Sequence, residues 1–212
     1  MPIQIPAWPD PATDEGAAFF AAARKFHSLY RAAGNDRPFA FGLMTMAEAE
    51  SSFDPNALGD WEINGVRTGW KAHRADYPPG AAPISFGAHQ RKADRCNAIR
   101  DGRKGVPGLG FDIAALALAG QNTIENEVRS VLWELAAFPM GYGSAAIRGA
   151  KTAYGVAYNA TVMFEKAGTV ADGAAEKRGA MAETWVMLAS GIWPTSRGPR
   201  PAGWEALTQG WG

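Results

Sequence analysis

Residues 57–84 carry Gly59, Gly65, Gly69, Pro78-Pro79-Gly80 and Pro83, interleaved with Trp61, Ile63, Val66, Trp70 and Tyr77. A helix does not survive that density of glycine and proline, whereas alternating large apolar residues suit short strands. Trp61 to Arg67 reads as a hairpin with Asn64-Gly65 as its two-residue turn, followed by a long loop. On both sides of this stretch the apolar spacing is helical. The chain is therefore expected to be α+β and mainly helical, with a small β lobe inserted early.

Upstream, Ala17, Phe20, Ala23, Phe26 and Tyr30 recur at three- and four-residue spacing, which predicts a helix over about 14–33 stopped by Gly34-Asn35. A second helix is expected to start with Asp36 as N-cap and Pro38 in its first turn, and to run through Phe39, Phe41, Leu43, Met44 and Met46 towards Glu50. Asp54-Pro55-Asn56 ends it, because a residue before proline resists helical dihedrals. Downstream, helical signals resume at Ser85, a candidate N-cap, and run to about Arg100. Further helices are expected over about 112–137, 144–167 and 173–190, with a basic loop at Gly102 to Gly108. Residues 1–13 read as a Pro-rich N-terminal extension that docks Trp8, 14–190 as the main domain, and 191–212 as a Gly/Pro/Trp-rich C-terminal extension.

Composition narrows the function classes. An apolar fraction of 47% and a charged fraction of 20% suit a globular chain with a sizeable core. Formal net charge is +0, which argues against an electrostatic nucleic-acid footprint. With Cys 1 in the count, no intrachain disulfide forms, and Cys96 reads as a buried small residue. The N-terminus shows no basic n-region and no long apolar core, so no signal peptide is expected. No stretch approaches the roughly 20 apolar residues of a membrane span. His27, His73 and His89 lack metal-ligand spacing, and no nucleotide-binding loop or nucleophile elbow occurs, so neither a metal nor a cofactor is implied. His27 is expected at the surface or half-buried on its helix.

The chemistry-bearing segments are Glu50-Ser51-Ser52-Phe53-Asp54-Pro55-Asn56-Ala57, then Gly59-Asp60, then Ser85-Phe86-Gly87-Ala88-His89-Gln90. The first resembles the Glu-Ser-x-Phe-(Asn/Asp)-Pro-Asn-Ala signature of the lytic transglycosylase and goose-type lysozyme superfamily. The others resemble its Gly-Asp and Ser-x-Gly-x-x-Gln segments. Val131-Leu132-Trp133-Glu134-Leu135, and Val156 to Gly168 followed by Glu176-Lys177-Arg178, are similar to later motifs of phage tail lysozymes. The resemblance covers roughly residues 38–185. His89 stands where an apolar or aromatic residue is common, and Lys166-Ala167 replaces Arg-Pro.

The resemblance implies a lysozyme-like fold and cleavage of the β-1,4 bond between N-acetylmuramic acid and N-acetylglucosamine in peptidoglycan. It implies Glu50 as the catalytic acid. It further suggests a virion- or tail-associated protein acting in the periplasm or cell wall, with phage tail or virion proteins as possible partners. At the end of an apolar helix beside Phe53, desolvation and the negative helix terminus both favour a protonated carboxyl, able to donate to a leaving oxygen. Glu48 lies two residues away, about 200° around a helix, so the two acids cannot share a direction. A hydrolase needs a second carboxylate, for which Asp60 comes first and Glu62 and Asp54 follow. Without one, the muramic acid 6-hydroxyl attacks instead, the transglycosylase route.

Ser85 and Gln90 are candidate substrate contacts, and Gln90 could equally tie two loops together. Tyr158 and Asn159 match the superfamily's Tyr-Asn pair, against the alternative of a core tyrosine. Asp60 could also simply form a turn. Glu134 and Glu165 read as structural, as buried caps or as partners for Arg178 or Arg129. A non-catalytic wall-binding or structural tail protein and a chitinase-like enzyme are the competing functions.

Overall fold

The computed structural model describes residues 3–63, 66–69, 82–103, 105–137, 144–165 and 173–211. The chain divides into two compact units, Met1–Ala49 with Phe138–Gly212, and Glu50–Ala137. It is mainly helical with small antiparallel sheets, the α+β class expected from the sequence.

In the first unit, α1 (Asp14–Ala32) opens on Thr13, whose hydroxyl accepts from Gly16 N, and buries Phe20, Ala23, Phe26 and Tyr30 along one face. Gly34, at φ 84°, ends it. Asp36 then caps α2 (Arg37–Ser51) through a 2.9 Å bond from Phe39 N to its carboxylate. Every residue of α2 from Phe39 to Glu48 is buried, so this helix is the axis of the unit. The helix α6 (Ser144–Gly149) leads to α7 (Ala153–Asn159), which passes without a break into a π-helical turn, Ala160–Glu165. A Cβ at Gly42 of α2 would lie 2.5 Å from Val156 Cβ, so glycine there permits the close approach of α7. Finally, α8 (Ala174–Ala189) packs on α7, and the short 3-10 turns Thr195–Arg197 and Trp204–Thr208 follow.

Both terminal segments enter the core of this unit. Glu48, two residues before Glu50, accepts from the indole N–H groups of Trp8 at 3.3 Å and Trp185 at 2.7 Å. Arg197 forks onto the same carboxylate at 2.8 and 3.0 Å. The Arg197 guanidinium also lies over the Trp8 ring and donates to Pro6 O, and its backbone carbonyl accepts from Trp8 N. Trp8 docks as expected; the C-terminal tail, which has no sequence period, is placed by Arg197, Trp193, Trp204 and Trp211, all buried.

The expectation for His27 requires correction. It is fully buried, its ring tilted against Phe41 with centroids 4.3 Å apart and edge-on to Trp211 at 5.4 Å. It falls on the apolar face of α1, and Trp211, 184 residues later in the chain, covers it.

In the second unit, β1 (Leu58–Ile63) pairs antiparallel with β2 (Val66–Gly69) and with β3 (Ala82–Phe86), and β4 (Arg91–Lys92) completes the order β2-β1-β3-β4. Ile63 pairs with Val66, the register of the expected hairpin; its turn, Asn64-Gly65, and the loop 70–81 lie outside the described residues. Then follow α3 (Ala93–Asp101), a two-strand ribbon of β5 (Gly102–Arg103) and β6 (Val106–Pro107), α4 (Ile113–Ala119) and α5 (Ile124–Ala137). Cys96 is buried, and burial pushes its thiol up to about 12.

Ser85 is not an N-cap. It is a strand residue paired with Gly59 and Lys92, and the helix begins only at Ala93. Gly87 at φ 77° and Gln90 at φ 47° turn the chain between β3 and β4, and left-handed residues at that spacing break any helix.

Candidate active site around Glu50

Glu50 occupies the last turn of α2 and is half-buried, while Glu48 is buried against Arg197. Helix geometry thus separates the two acids as the 200° rotation requires: one is an internal counter-ion, and the other stands at the helix end. Immediately after it, Ser52 at φ 54° and Phe53 at φ 69° take left-handed conformations, which side chains with a Cβ adopt at a cost of about 1–3 kcal/mol each. Phe53 is 1% exposed, and its burial offsets part of that cost.

The turn beyond is fastened residue by residue. Asp54 accepts from Asn56 N at 2.8 Å, an Asx turn, and its carbonyl accepts from Ala57 N. Asn56 reaches Asn122 at the start of α5, taking a bond from Asn122 N and donating to Asn122 O. Asn122 in turn donates to Pro55 O at 2.7 Å and to Glu127 at 2.6 Å.

Glu127 is the residue that holds this region together. It is fully buried, accepts from Arg91 at 2.6 Å and pairs with His89 Nδ1 at 3.0 Å. A Cβ at Gly87 would collide with its carboxylate, so glycine there lets the β3–β4 turn close over it. Burial alone would push the Glu127 carboxyl up, but Arg91 and His89 hold it down at about 2. Glu134, seven residues on, binds Arg91 at 2.9 Å and Arg95 at 2.8 Å and is likewise held low against the opposing effect of burial. Glu134 is therefore structural, with Arg91 and Arg95 as its partners in place of the expected Arg129 or Arg178. The side chain of Glu165 lies outside the described residues.

Glu127 had a readable signature. On α5 the buried positions Ile124, Glu127, Val128, Val131, Glu134 and Leu135 follow one helical stripe, with two acids on it. Acids seven residues apart on an apolar face require buried cations. Arg91 and Arg95, just after the Ser-x-Gly-x-x-Gln segment, supply them.

Ser85 and Gln90 meet each other. The Ser85 hydroxyl donates to the Gln90 side-chain oxygen at 3.1 Å, and the Gln90 amide donates to Gly87 O at 2.8 Å and Ala57 O at 3.4 Å. Gln90 thus ties the β3–β4 turn to the segment that follows Glu50, and Gly59 leaves the space for its side chain. Asp60 lies within β1 at φ 39°, just before a register shift between Trp61 and Glu62. Its conformation kinks the strand instead of forming a loop. Ser52, Phe53, Asp60 and Gln90 are the non-glycine residues with left-handed backbone among those described, and all four fall in the motif segments.

Tyr158 and Asn159 belong to the other unit, at the junction of α7 with the π-helical turn. Tyr158 stacks on Tyr154 at 6.2 Å, and Asn159 donates to Ala146 O at 3.0 Å. Among the described residues no helix is long and apolar enough to cross a membrane. Comparison with protein-family models, curated proteins and solved structures finds no match to this chain.

Proposed function

We propose that this chain is a peptidoglycan-cleaving enzyme of lysozyme-like fold, with Glu50 as general acid at the β-1,4 bond between N-acetylmuramic acid and N-acetylglucosamine. The observation that carries this reading is the concentration of backbone strain and buried polar fastening around Glu50. Strained residues persist where surrounding structure over-determines them, and such places cluster at functional sites.

In the proposed reaction the protonated Glu50 carboxyl gives its proton to the glycosidic oxygen as the bond to the muramic acid C1 breaks. Glu50, now a carboxylate, accepts a proton from the incoming nucleophile. Asp60 is the carboxylate assigned to stabilise positive charge at C1 if that nucleophile is water. If it is the muramic acid 6-hydroxyl, the product is a 1,6-anhydro end and no second carboxylate takes part. Ser85 and Gln90 serve the site by setting the loop, through the bonds they make to each other and to Ala57 and Gly87. Delivery by a phage tail or virion to the cell wall belongs to the same reading.

Digestion of purified sacculi by the wild type and Glu50→Gln, with mass analysis of the released muropeptides, is the test. Loss of solubilisation in the variant is expected. Equal solubilisation by both proteins removes Glu50 from the chemistry, and reducing or anhydro ends separate the two routes.

A further inference from the structure

The end of the chain builds a concave surface within the first unit. Its lining includes Ile192, Trp193, Thr195, Pro199, Arg200 and Trp204, around a groove of about 680 Å³. That volume falls in the range of small-ligand sites.

The groove is built on fixed parts. Gly191 at φ 78° stops α8, and Ile192 N donates back to Met187 O. The Trp193 indole donates to Gly198 O at 3.0 Å, and Trp193 stands edge-on to Trp204 at 6.0 Å and to Trp8 at 5.5 Å. Such packing leaves little to order when a ligand arrives.

Arg200 and Trp204 both line this groove. Arg200 is exposed and is the charged residue of the lining; its recorded contact is the Trp204 ring, 5.7 Å away, with no carboxylate among the described residues. Trp204 is 9% exposed, yet its buried indole N–H has no acceptor among the described residues. Ile192, 53% exposed, adds an apolar edge. An exposed cation beside an apolar edge selects a ligand with a carboxylate next to an apolar ring face.

We propose that this groove is an accessory site for an acidic saccharide, binding its carboxylate on Arg200 and its ring face against the Trp204 and Ile192 side. The identity of that saccharide rests on the functional reading above: in the wall polymer, the sugar that carries a carboxylate is muramic acid, through its lactyl group.

The test uses the full chain carrying Glu50→Gln, titrated with the N-acetylglucosaminyl–N-acetylmuramic acid disaccharide bearing a free lactyl carboxylate. Chitobiose, the neutral counterpart, is titrated in parallel. The readout is the indole N–H resonance of Trp204 in tryptophan-labelled protein, assigned by its loss in Trp204→Phe. A saturable shift with the acidic disaccharide, and at least tenfold weaker binding in Arg200→Gln, are expected. No shift, or the same affinity for chitobiose, overturns the proposal. Sacculus digestion by the wild type is scored separately. Cutting without a Trp204 shift removes the groove alone, and a shift without cutting removes the enzyme reading alone.

Discussion

The side-chain amide of Asn56 closes on the backbone of Asn122 like one strand on another, its oxygen accepting from Asn122 N at 2.8 Å and its nitrogen donating to Asn122 O at 3.2 Å. These residues are 66 positions apart in the chain. Asn56→Ala leaves both Asn122 groups without their partners, at a cost of about 1–3 kcal/mol. For a chain of this size that lowers Tm by about 2–4 °C per kcal/mol. Thermal unfolding of the variant measures it, and an unchanged Tm refutes the clamp.

Glu127→Gln keeps the shape of the buried cluster but strips Arg91 of a counter-charge. Breaking a buried pair in this way costs about 3–5 kcal/mol. A midpoint in urea close to that of the wild type contradicts the assignment.

The same residue sets an acid limb of stability. With the native carboxyl held at about 2 and the ordinary value at 4.5, the unfolded chain binds the proton first as pH falls. The stabilisation is complete above about pH 4.5 and is lost progressively towards pH 2. Unfolding free energies measured across that window should slope downward with acid in the wild type and lose part of the slope in Glu127→Gln.

His27 adds a second limb at higher pH. Burial lowers its imidazole from 6.5 to about 4, and the Arg37 and Arg31 charges act in the same direction. The native ring stays neutral while the unfolded ring takes a proton, so this contribution is present above pH 6.5 and fades as pH falls towards 4. His27→Phe retains an aromatic ring beside Phe41 and Trp211, and its stability should vary less than the wild type's between pH 6.5 and 4. Parallel curves for the two proteins would exclude His27 as the cause.

Glu48 and Glu50 should separate cleanly by substitution. Glu50→Gln is expected to lose sacculus solubilisation with little change in Tm. Glu48→Gln leaves Arg197 buried beside a neutral amide and should lower Tm markedly. If the two variants behave alike in both assays, the division of roles is wrong.

Much of this architecture is legible locally. The Asp36 cap, the Gly34 stop, the helix pair over 112–137 and the register of the Trp61 hairpin all follow from residues within a few positions of one another. The misread parts depend on distant ones. Ser85 reads locally as a helix cap, whereas Gly59 and Lys92 pair with it across a sheet. His27 reads as half-exposed from its own helix, whereas Trp211, at the far end of the chain, covers it. Glu127 is an acid on the apolar stripe of α5, but its partners His89 and Arg91 lie 36 to 38 residues upstream on the β3–β4 turn and strand. At the candidate site, the acid is marked by its motif, whereas the network that fixes its loop became visible only in three dimensions.

The fork of Arg197 on Glu48 carries a practical consequence. A protein trimmed at the end of α8 would keep every motif segment but leave the Glu48 carboxylate in the core without its cation. The last twenty-odd residues thus help to hold the helix that carries Glu48, and a protease cutting among them would destabilise the first unit without touching any motif segment.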